Sequence, residues 1–471
     1  MPASAVLFER EDVQPYECDG LSAYRQVPMV VALPANEDEV RHILKVCFNA
    51  RVPVVARGAG TGLSGGALPL GNGVLLSLAK LKHILDIDIA ARTARVQPGV
   101  RNLAISEAVS THGLYYAPDP SSQIACSIGG NVAENSGGVH CLKYGLTVHN
   151  VMRVRVATIE GDIIEIGGDS LDSAGYDLLA LMTGSEGMLG VITEIIVKLL
   201  PRPECAQVVM AAFDGVEQAG AAVANIIAAG IIPAGLEMMD QAATAAVEQF
   251  VHAGYPTDAA AMLLCESDGT LEEVTDEVRR VESIMEGSGA ILIRVSNSDT
   301  ERMKFWAGRK AAFPAVGRIS PDYYCMDGTI PRKRLAQVLR RIAELEVKYG
   351  LRCANVFHAG DGNLHPLILY DANAPGELEK TEAFGAEILD LSIEVGGTIT
   401  GEHGVGIEKI NHMCVQFSSP ELQMFHAVKH AFDEHELLNP GKAVPSLHRC
   451  AEFGRMHVHA GRPTFSDFPR F

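Results

Sequence analysis

The chain of 471 residues is 47% hydrophobic and 21% charged and carries a formal net charge of −19. That length and apolar content supply about two to four globular domains with sizeable cores and exclude a disordered or fibrous chain. The acidic balance, without any run of lysines and arginines, excludes nucleic acid as a partner, because binding it needs a basic footprint.

The first residues, from Met1 to Asp12, lack the basic start and long apolar core of a secretory signal. A strand is predicted over 27–33. Asn36 then caps a helix whose first turn carries Glu37, Asp38 and Glu39, charges suited to that end of the helix dipole. Strands over 53–57 and 74–78 flank a first glycine-rich loop. A strand over 93–97 leads to a helix over 101–112, and a second glycine-rich region spans 118–138. Strands over 151–158 and 162–166 form a hairpin around Glu160-Gly161. The β-branched strand over 190–200 ends at Pro201-Arg202-Pro203, a domain boundary. Beyond it, strands over 207–213, 235–239, 260–266 and 289–295 alternate with helices over 215–229, 240–252 and 271–286. Helices near 299–312, 332–349, 376–395 and 420–434 follow. This order predicts an α+β chain whose second domain is an antiparallel sheet covered by helices on one face. The expected units are 1–204, 205–415 and a C-terminal segment, 416–471.

The most apolar window, 219–239, is broken by Asn225 and Pro233. It reads as helix, turn and strand rather than as the roughly 20 apolar residues of a membrane span. The ten cysteines contain no Cys-x-x-Cys, so no iron–sulfur or zinc-ribbon framework is written into this chain, and their scatter fits a reducing compartment.

The first loop reads Arg57-Gly58-Ala59-Gly60-Thr61-Gly62-Leu63-Ser64. It lacks the Gly-x-Gly-x-x-Gly turn that opens a helix in nicotinamide-binding folds. It does offer consecutive backbone N–H groups with little side-chain bulk, the kind of nest that binds phosphate oxygens. Pro118, Asp119, Ser121 and Ser122, then Ser127-Ile128-Gly129-Gly130-Asn131, and finally Asn135, Gly137 and Gly138, offer the same again. These glycines also fit the turns of an irregular sheet domain, but two such loops separated by strands favour a nucleotide. The net charge does not oppose this. Exposed charges are screened over about 8 Å at physiological salt, whereas each charge-assisted hydrogen bond contributes about 1.5–3 kcal/mol.

Near the far end, His358 and His365 bracket Asp361-Gly362, a strong hairpin turn between two apolar strands. A hairpin brings both imidazoles to one end of a sheet. Glu402 can join them from another loop, giving two nitrogens and a carboxylate for a divalent metal, and leaving His403 for proton transfer. The pattern fits equally a glycine-rich hairpin carrying two ordinary histidines.

The segments 57–66, 118–138 and 183–193 (Thr-Gly-Ser-Glu-Gly-Met-Leu-Gly-Val-Ile-Thr) resemble the FAD-binding domain of the vanillyl-alcohol oxidase, or p-cresol methylhydroxylase (PCMH)-type, flavoproteins. The segments 357–366, 400–409 and 439–442 resemble the C-terminal domain of their D-2-hydroxy-acid dehydrogenase branch. Within that branch, 16–25 and 305–331 are similar to the FAD subunits of bacterial glycolate oxidases, which carry more residues before Tyr16. The resemblance implies a PCMH-type two-subdomain FAD-binding domain plus a substrate domain. FAD would be held by 57–64 and 118–138, by Glu186, Gly190 and Ile192 on the adenosine side, and by Asn439 from the tail. No histidine stands in the first loop, which implies a non-covalent flavin, with Cys126 the one other conceivable tether. His358, His365 and Glu402 would hold zinc. Arg309 would grip the substrate carboxylate, Asn363 and His403 would contact the substrate, and Tyr324 with Tyr323 would close the pocket. Phe313 and Cys325 stand where relatives acting on longer diacids have Thr and Lys, which implies a short substrate.

The activity implied is oxidation of glycolate to glyoxylate, with hydride to flavin N5 and His403 as base. Electrons would pass to iron–sulfur and second flavin-domain subunits of a complex that is cytoplasmic and touches a membrane only peripherally, through partners. Alternatives are a D-lactate or broader D-2-hydroxy-acid dehydrogenase, a flavin-dependent transferase, and a metal-dependent hydrolase.

Overall fold

The computed structural model describes residues 1–170, 175–446 and 450. The later part of the expected 416–471 segment lies outside the described residues. In the first part of the chain, β1 (Val6–Leu7), β2 (Val30–Ala32), β3 (Val54–Arg57) and β4 (Val74–Ser77) form a sheet in the order β1-β2-β4-β3. β2 and β3 run parallel to β4 and β1 antiparallel to β2. The helix Glu37–Ala50 supplies the crossover, capped by the Asn36 side chain on Glu39 N at 2.9 Å.

Next come β5 (Ile84–Asp88), β6 (Thr93–Val96), β7 (Leu114–Tyr115), β8 (Val151–Ala157), β9 (Ile163–Gly167), β10 (Val191–Lys198) and β11 (Leu200–Pro201). Five of them make an antiparallel sheet, β5-β6-β10-β8-β9, while β7 and β11 pair separately. The second glycine-rich region contains a helix that sequence patterning missed, Ile128–Glu134.

The last sheet has seven antiparallel strands: β12 (Cys205–Phe213), β13 (Gly235–Asp240), β14 (Ala261–Gly269), β15 (Leu292–Val295), β16 (Asp322–Cys325), β17 (Arg352–His358) and β18 (Asn363–Tyr370), ordered β15-β12-β14-β13-β17-β18-β16. Helices cover both of its faces rather than one. Ala211, Phe213, Leu263 and Cys265 pack on one side with Val223, Val278 and Ile388, whereas Met210, Met262 and Leu264 pack on the other with Val247, Phe305 and Trp306. The reason is written in the strands: Ala-Met-Leu-Leu-Cys is continuously apolar, and a strand with one solvated face would alternate. Cys414 and Cys450 form a disulfide, and the other eight cysteines are free. No helix among the described residues is long and apolar enough to cross a membrane.

A buried ionic knot ties the second glycine region to the seven-stranded sheet. His140 Nδ1 lies 2.9 Å from Asp119 and Nε2 lies 3.2 Å from Glu266 on β14. Glu266 also pairs with Arg302 at 3.2 Å and accepts from the Trp306 indole N–H. Burial opposes the imidazolium, but the two carboxylates outweigh it and push the His140 pKa up to about 10. The folded pKa stands above the unfolded value of 6.5. The stabilisation is therefore complete below the unfolded value and is lost as pH rises through about 10. His140→Gln is expected to lower stability by about 3 kcal/mol at neutral pH, since Asp119 and Glu266 lose the buried cation that they share. Thermal unfolding of both proteins from pH 6 to 10.5 should show their difference shrinking at the alkaline end.

Candidate active site

The β17–β18 hairpin places the two histidines. Val356 pairs with His365 and His358 with Asn363, so His358 and His365 sit two residues apart on the same face of neighbouring strands. Their rings stand 5.1 Å apart, nearly perpendicular. Gly362, at φ 86°, makes the turn between them, and a Cβ there would meet Ile330 O at 2.2 Å. Glu402 arrives from the loop after the helix Glu377–Glu394, its Oε1 3.3 Å from His358 Nε2 and 3.0 Å from His365 Nε2.

Two carboxylates that sequence reasoning missed hold this arrangement. Glu237, on β13, accepts from His358 Nδ1 at 2.8 Å, and its other oxygen lies 2.6 Å from Arg309 Nη2. Asp327, fully buried, accepts from the backbone N–H of Gly401, Glu402 and His403, from Thr400 Oγ1 and from Asn363 Nδ2, and pairs with Lys409 at 3.1 Å. Despite burial, Lys409 and the neighbouring histidines hold Asp327 far below the usual carboxylate range. Each stands in an apolar run, Leu-Glu-Met-Met and Cys-Met-Asp, and a carboxylate in such company is itself a signal that it has buried partners.

His403 stacks on His365 at 4.8 Å, and its Nδ1 finds no partner among the described residues. Burial pushes its pKa down to about 4, Asp327 opposing. Against burial, Glu237 and Glu402 hold His358 well above its usual value, while the histidines hold Glu402 well below.

These residues close one end of a cavity of ≈350 Å³. Arg57, Gly58, Ala59, Gly60, Thr61, Gly62 and Leu63 line it from the first loop. Ser121, Ser122, Ser127, Gly129, Gly130 and Asn131 line it from the second, with Glu186, Gly190 and Ile192 on a third side. Arg309, Phe313, His358, His365, Glu402 and His403 face them.

Other residues expected at the nucleotide instead build its walls. Ser64 O accepts from Ile407 and Glu408 N–H. Pro118 O accepts from Asn102, Asp119 binds His140, and Ile128 lies in the core. Asn135, left-handed at φ 54°, caps a helix and binds Val148 N. A Cβ on Gly137 would lie 2.4 Å from Glu402 Oε2, and one on Gly138 2.5 Å from Asp119 O. Asn439 Nδ2 bridges Gly66 O and Glu186 O, and the Glu186 carboxylate accepts from Val405 and Gly406 N–H. A pattern of small residues marks the region but not which side of a helix or turn meets the cavity.

Tyr324 needs correction more plainly. It is buried in the core on the face of β16 turned away from the cavity, while its neighbour Tyr323 meets Phe313 at 5.9 Å. The alternation of a strand permits only one of the two to face the cavity. Cys325, on the Tyr323 face of the strand, is buried beside His365 and His403, and Asn363 lies behind the His358–His365–Glu402 set rather than in this cavity.

The residues fit the groups expected of them. No backbone N–H from Gly58 to Gly66 donates to another described residue. Ser127 Oγ is buried without a partner among the described residues, and a Cβ on Gly58 would lie 2.2 Å from it. Such a row of free donors suits a diphosphate. The donor atoms of His358, His365 and Glu402 lie within 4.8 Å of one another, and Glu237 fixes the tautomer of His358 as a carboxylate does behind a metal-binding histidine. The overlapping set Cys325, His365 and His403 is a poorer one, because burial holds the Cys325 thiol protonated.

A nucleotide-loop domain joined to a sheet domain, with a cavity between, defines the fold of the PCMH-type flavoproteins. It superposes on p-cresol methylhydroxylase with a TM-score of 0.78 at 17% identity, over 94% of this chain and 95% of that one. Residues 28–167 match the FAD binding domain model and 202–443 the model of FAD linked oxidases, C-terminal domain. The chain is 64% identical to glycolate oxidase subunit GlcD of Escherichia coli over its whole length and 94% of that protein. It is 32% identical to a D-lactate dehydrogenase of Anaerostipes hadrus, over 94% of this chain and 95% of that one. The chain belongs to the FAD-linked oxidase family and, within it, to the GlcD group; it is an FAD-dependent oxidoreductase.

Proposed function

We propose that the chain is the catalytic flavin subunit of a glycolate dehydrogenase, oxidising glycolate to glyoxylate with non-covalent FAD and a divalent cation, zinc foremost. The observation that carries this reading is the His358–His365–Glu402 set facing Arg309 and His403 at the end of the glycine-lined cavity. Identity of 64% to a glycolate oxidase subunit, against 32% to a D-lactate dehydrogenase, supports glycolate over D-lactate.

When bound at these residues, the cation supplies Lewis acidity toward a hydroxyl and carboxylate, and FAD supplies the two-electron acceptor. Arg309 orients the substrate carboxylate: its Nε lacks a hydrogen-bond acceptor among the described residues, while Nη2 lies 2.6 Å from Glu237, which balances its charge. His403 takes the hydroxyl proton on its free ring nitrogen, within a site that Asp327 holds in place. Phe313, packed against His365 and Tyr323, leaves room for a short acid. The chain contains no Cys-x-x-Cys to hold a cluster of its own. Its electrons therefore pass to iron–sulfur and second flavin-domain partner subunits, at a membrane only through them, in the cytoplasm.

The reading is tested by anaerobic flavin reduction with a panel of acids. Glycolate should give the highest second-order rate, D-lactate a lower one, and D-2-hydroxyglutarate one lower by at least about 10²-fold, the discrimination an added group can meet in a closed pocket. A faster reaction with D-lactate would move the assignment to a D-lactate dehydrogenase.

A further inference from the structure

Glu134 ends the helix Ile128–Glu134 and lines the glycine-lined cavity together with Glu186. The two carboxyl groups are neighbours. A Cβ on Gly404 would lie 2.1 Å from Glu134 Oε2 and 3.0 Å from Glu186 Oε1, and one on Gly66 would lie 2.9 Å from Glu134 Oε1. Gly404 adjoins His403, so the pair stands toward the end of the cavity that holds the reacting groups.

Their surroundings differ. Glu186 accepts from the backbone N–H of Val405 and Gly406, each at 2.7 Å. Glu134 Oε2 is buried and has no partner among the described residues. Hydrogen bonds to a carboxylate favour its charged form, and a second carboxyl beside it then resists ionisation. The negative charge therefore rests on Glu186 and the proton on Glu134. Burial, and then the Glu186 charge, push Glu134 well above the usual carboxylate range, and Asp19 adds to this. Lys409 and Lys442 oppose it, but both are engaged elsewhere: Lys409 with Asp327 at 3.1 Å, and Lys442 with Gly66 O at 2.9 Å and with Leu68 O.

We propose that Glu134 is a neutral carboxylic acid whose O–H donates to the isoalloxazine ring of bound FAD. The inference rests on the flavin reading above, in which the ring lies at the His403 end of the cavity. An ionised carboxylate only accepts, whereas a protonated one has a donor to give. The carbonyl oxygens and unprotonated nitrogens of the ring are acceptors, so the neutral acid is the form that fits them.

The test is infrared difference spectroscopy of the whole chain, freed of flavin, before and after FAD is added at neutral pH. Equilibrium FAD titration accompanies it, for wild type, Glu134→Gln and Glu134→Ala. Wild type should show the carbonyl stretch of a protonated carboxyl, moving to lower frequency when FAD binds, and Glu134→Gln should lack that band. Glu134→Gln, whose amide keeps an N–H donor, should bind FAD within about threefold of wild type, and Glu134→Ala about tenfold more weakly. A carboxyl band that FAD leaves unmoved would overturn the proposal, because the proton would then face Glu186; so would a band that survives in Glu134→Gln. FAD binding by Glu134→Ala as tight as by wild type would do the same, and the wild-type band decides even if that variant fails to fold. Uptake of no FAD by wild type would overturn the flavin reading itself, and this proposal with it.

Discussion

Replacing His403 by Gln is expected to leave FAD and metal content unchanged and to slow flavin reduction by the hydroxy acid about 10²–10⁴-fold, the range contributed by a positioned general base. His403 packs flat on His365 and keeps one ring nitrogen without a described partner, so Gln can fill the space without taking over the proton. Its backbone N–H, held by Asp327 at 3.0 Å, is untouched by the exchange. Single-turnover reduction followed at the flavin band, alongside flavin and metal analysis of the same sample, separates loss of chemistry from loss of structure. Reduction at the wild-type rate would remove His403 from the mechanism.

Asp327→Asn is expected to damage the fold and the site together. The carboxylate serves three backbone N–H groups of the Glu402 loop, the Thr400 hydroxyl and the Asn363 amide, and it neutralises Lys409, which is fully buried. An amide turns two N–H donors toward that ring of donors and leaves the buried Lys409 ammonium with only Glu408, 3.6 Å away, as an ion-pair partner. Breaking a buried pair in this way costs about 3–5 kcal/mol. Denaturant unfolding should show a loss of that size, and metal content should fall because Glu402 loses its anchor. Adding Lys409→Met should recover part of the stability, since it removes the buried ammonium that Asp327 neutralised, without recovering metal binding. A single mutant as stable as wild type would show that the loop is held by something else.

Much of this was legible in the residues. Asn36 before three acids, the two β-branched runs beside Glu160-Gly161, and the Asp361-Gly362 turn each state a local preference that the structure keeps. The hairpin reading of His358 and His365 held because a period of two fixes the face of each strand residue once the turn is known. Tyr324 failed for the same reason, since adjacent strand residues face opposite ways and nothing local says which faces the cavity. Glu237 and Asp327 were missed because each acts on residues remote in sequence, His358 lying 121 positions from Glu237 and His403 76 from Asp327. The helix Ile128–Glu134 was hidden by its glycines, which weaken propensity yet let the chain pass close to Pro98, where a Cβ on Gly129 would lie 2.5 Å away.

The central claim joins the glycine-lined cavity and the His358–His365–Glu402 set in one redox centre. The most direct measurement is the visible spectrum of the purified protein under anaerobic conditions, recorded before and after adding glycolate, with and without prior removal of metal by a chelator. A flavin spectrum that bleaches with glycolate, persists unbleached after chelation and bleaches again on restoring zinc is the expected result. A flavin that bleaches equally well without metal would contradict the role given to the two histidines and Glu402, and a colourless protein that takes up no FAD would contradict the reading of both glycine loops.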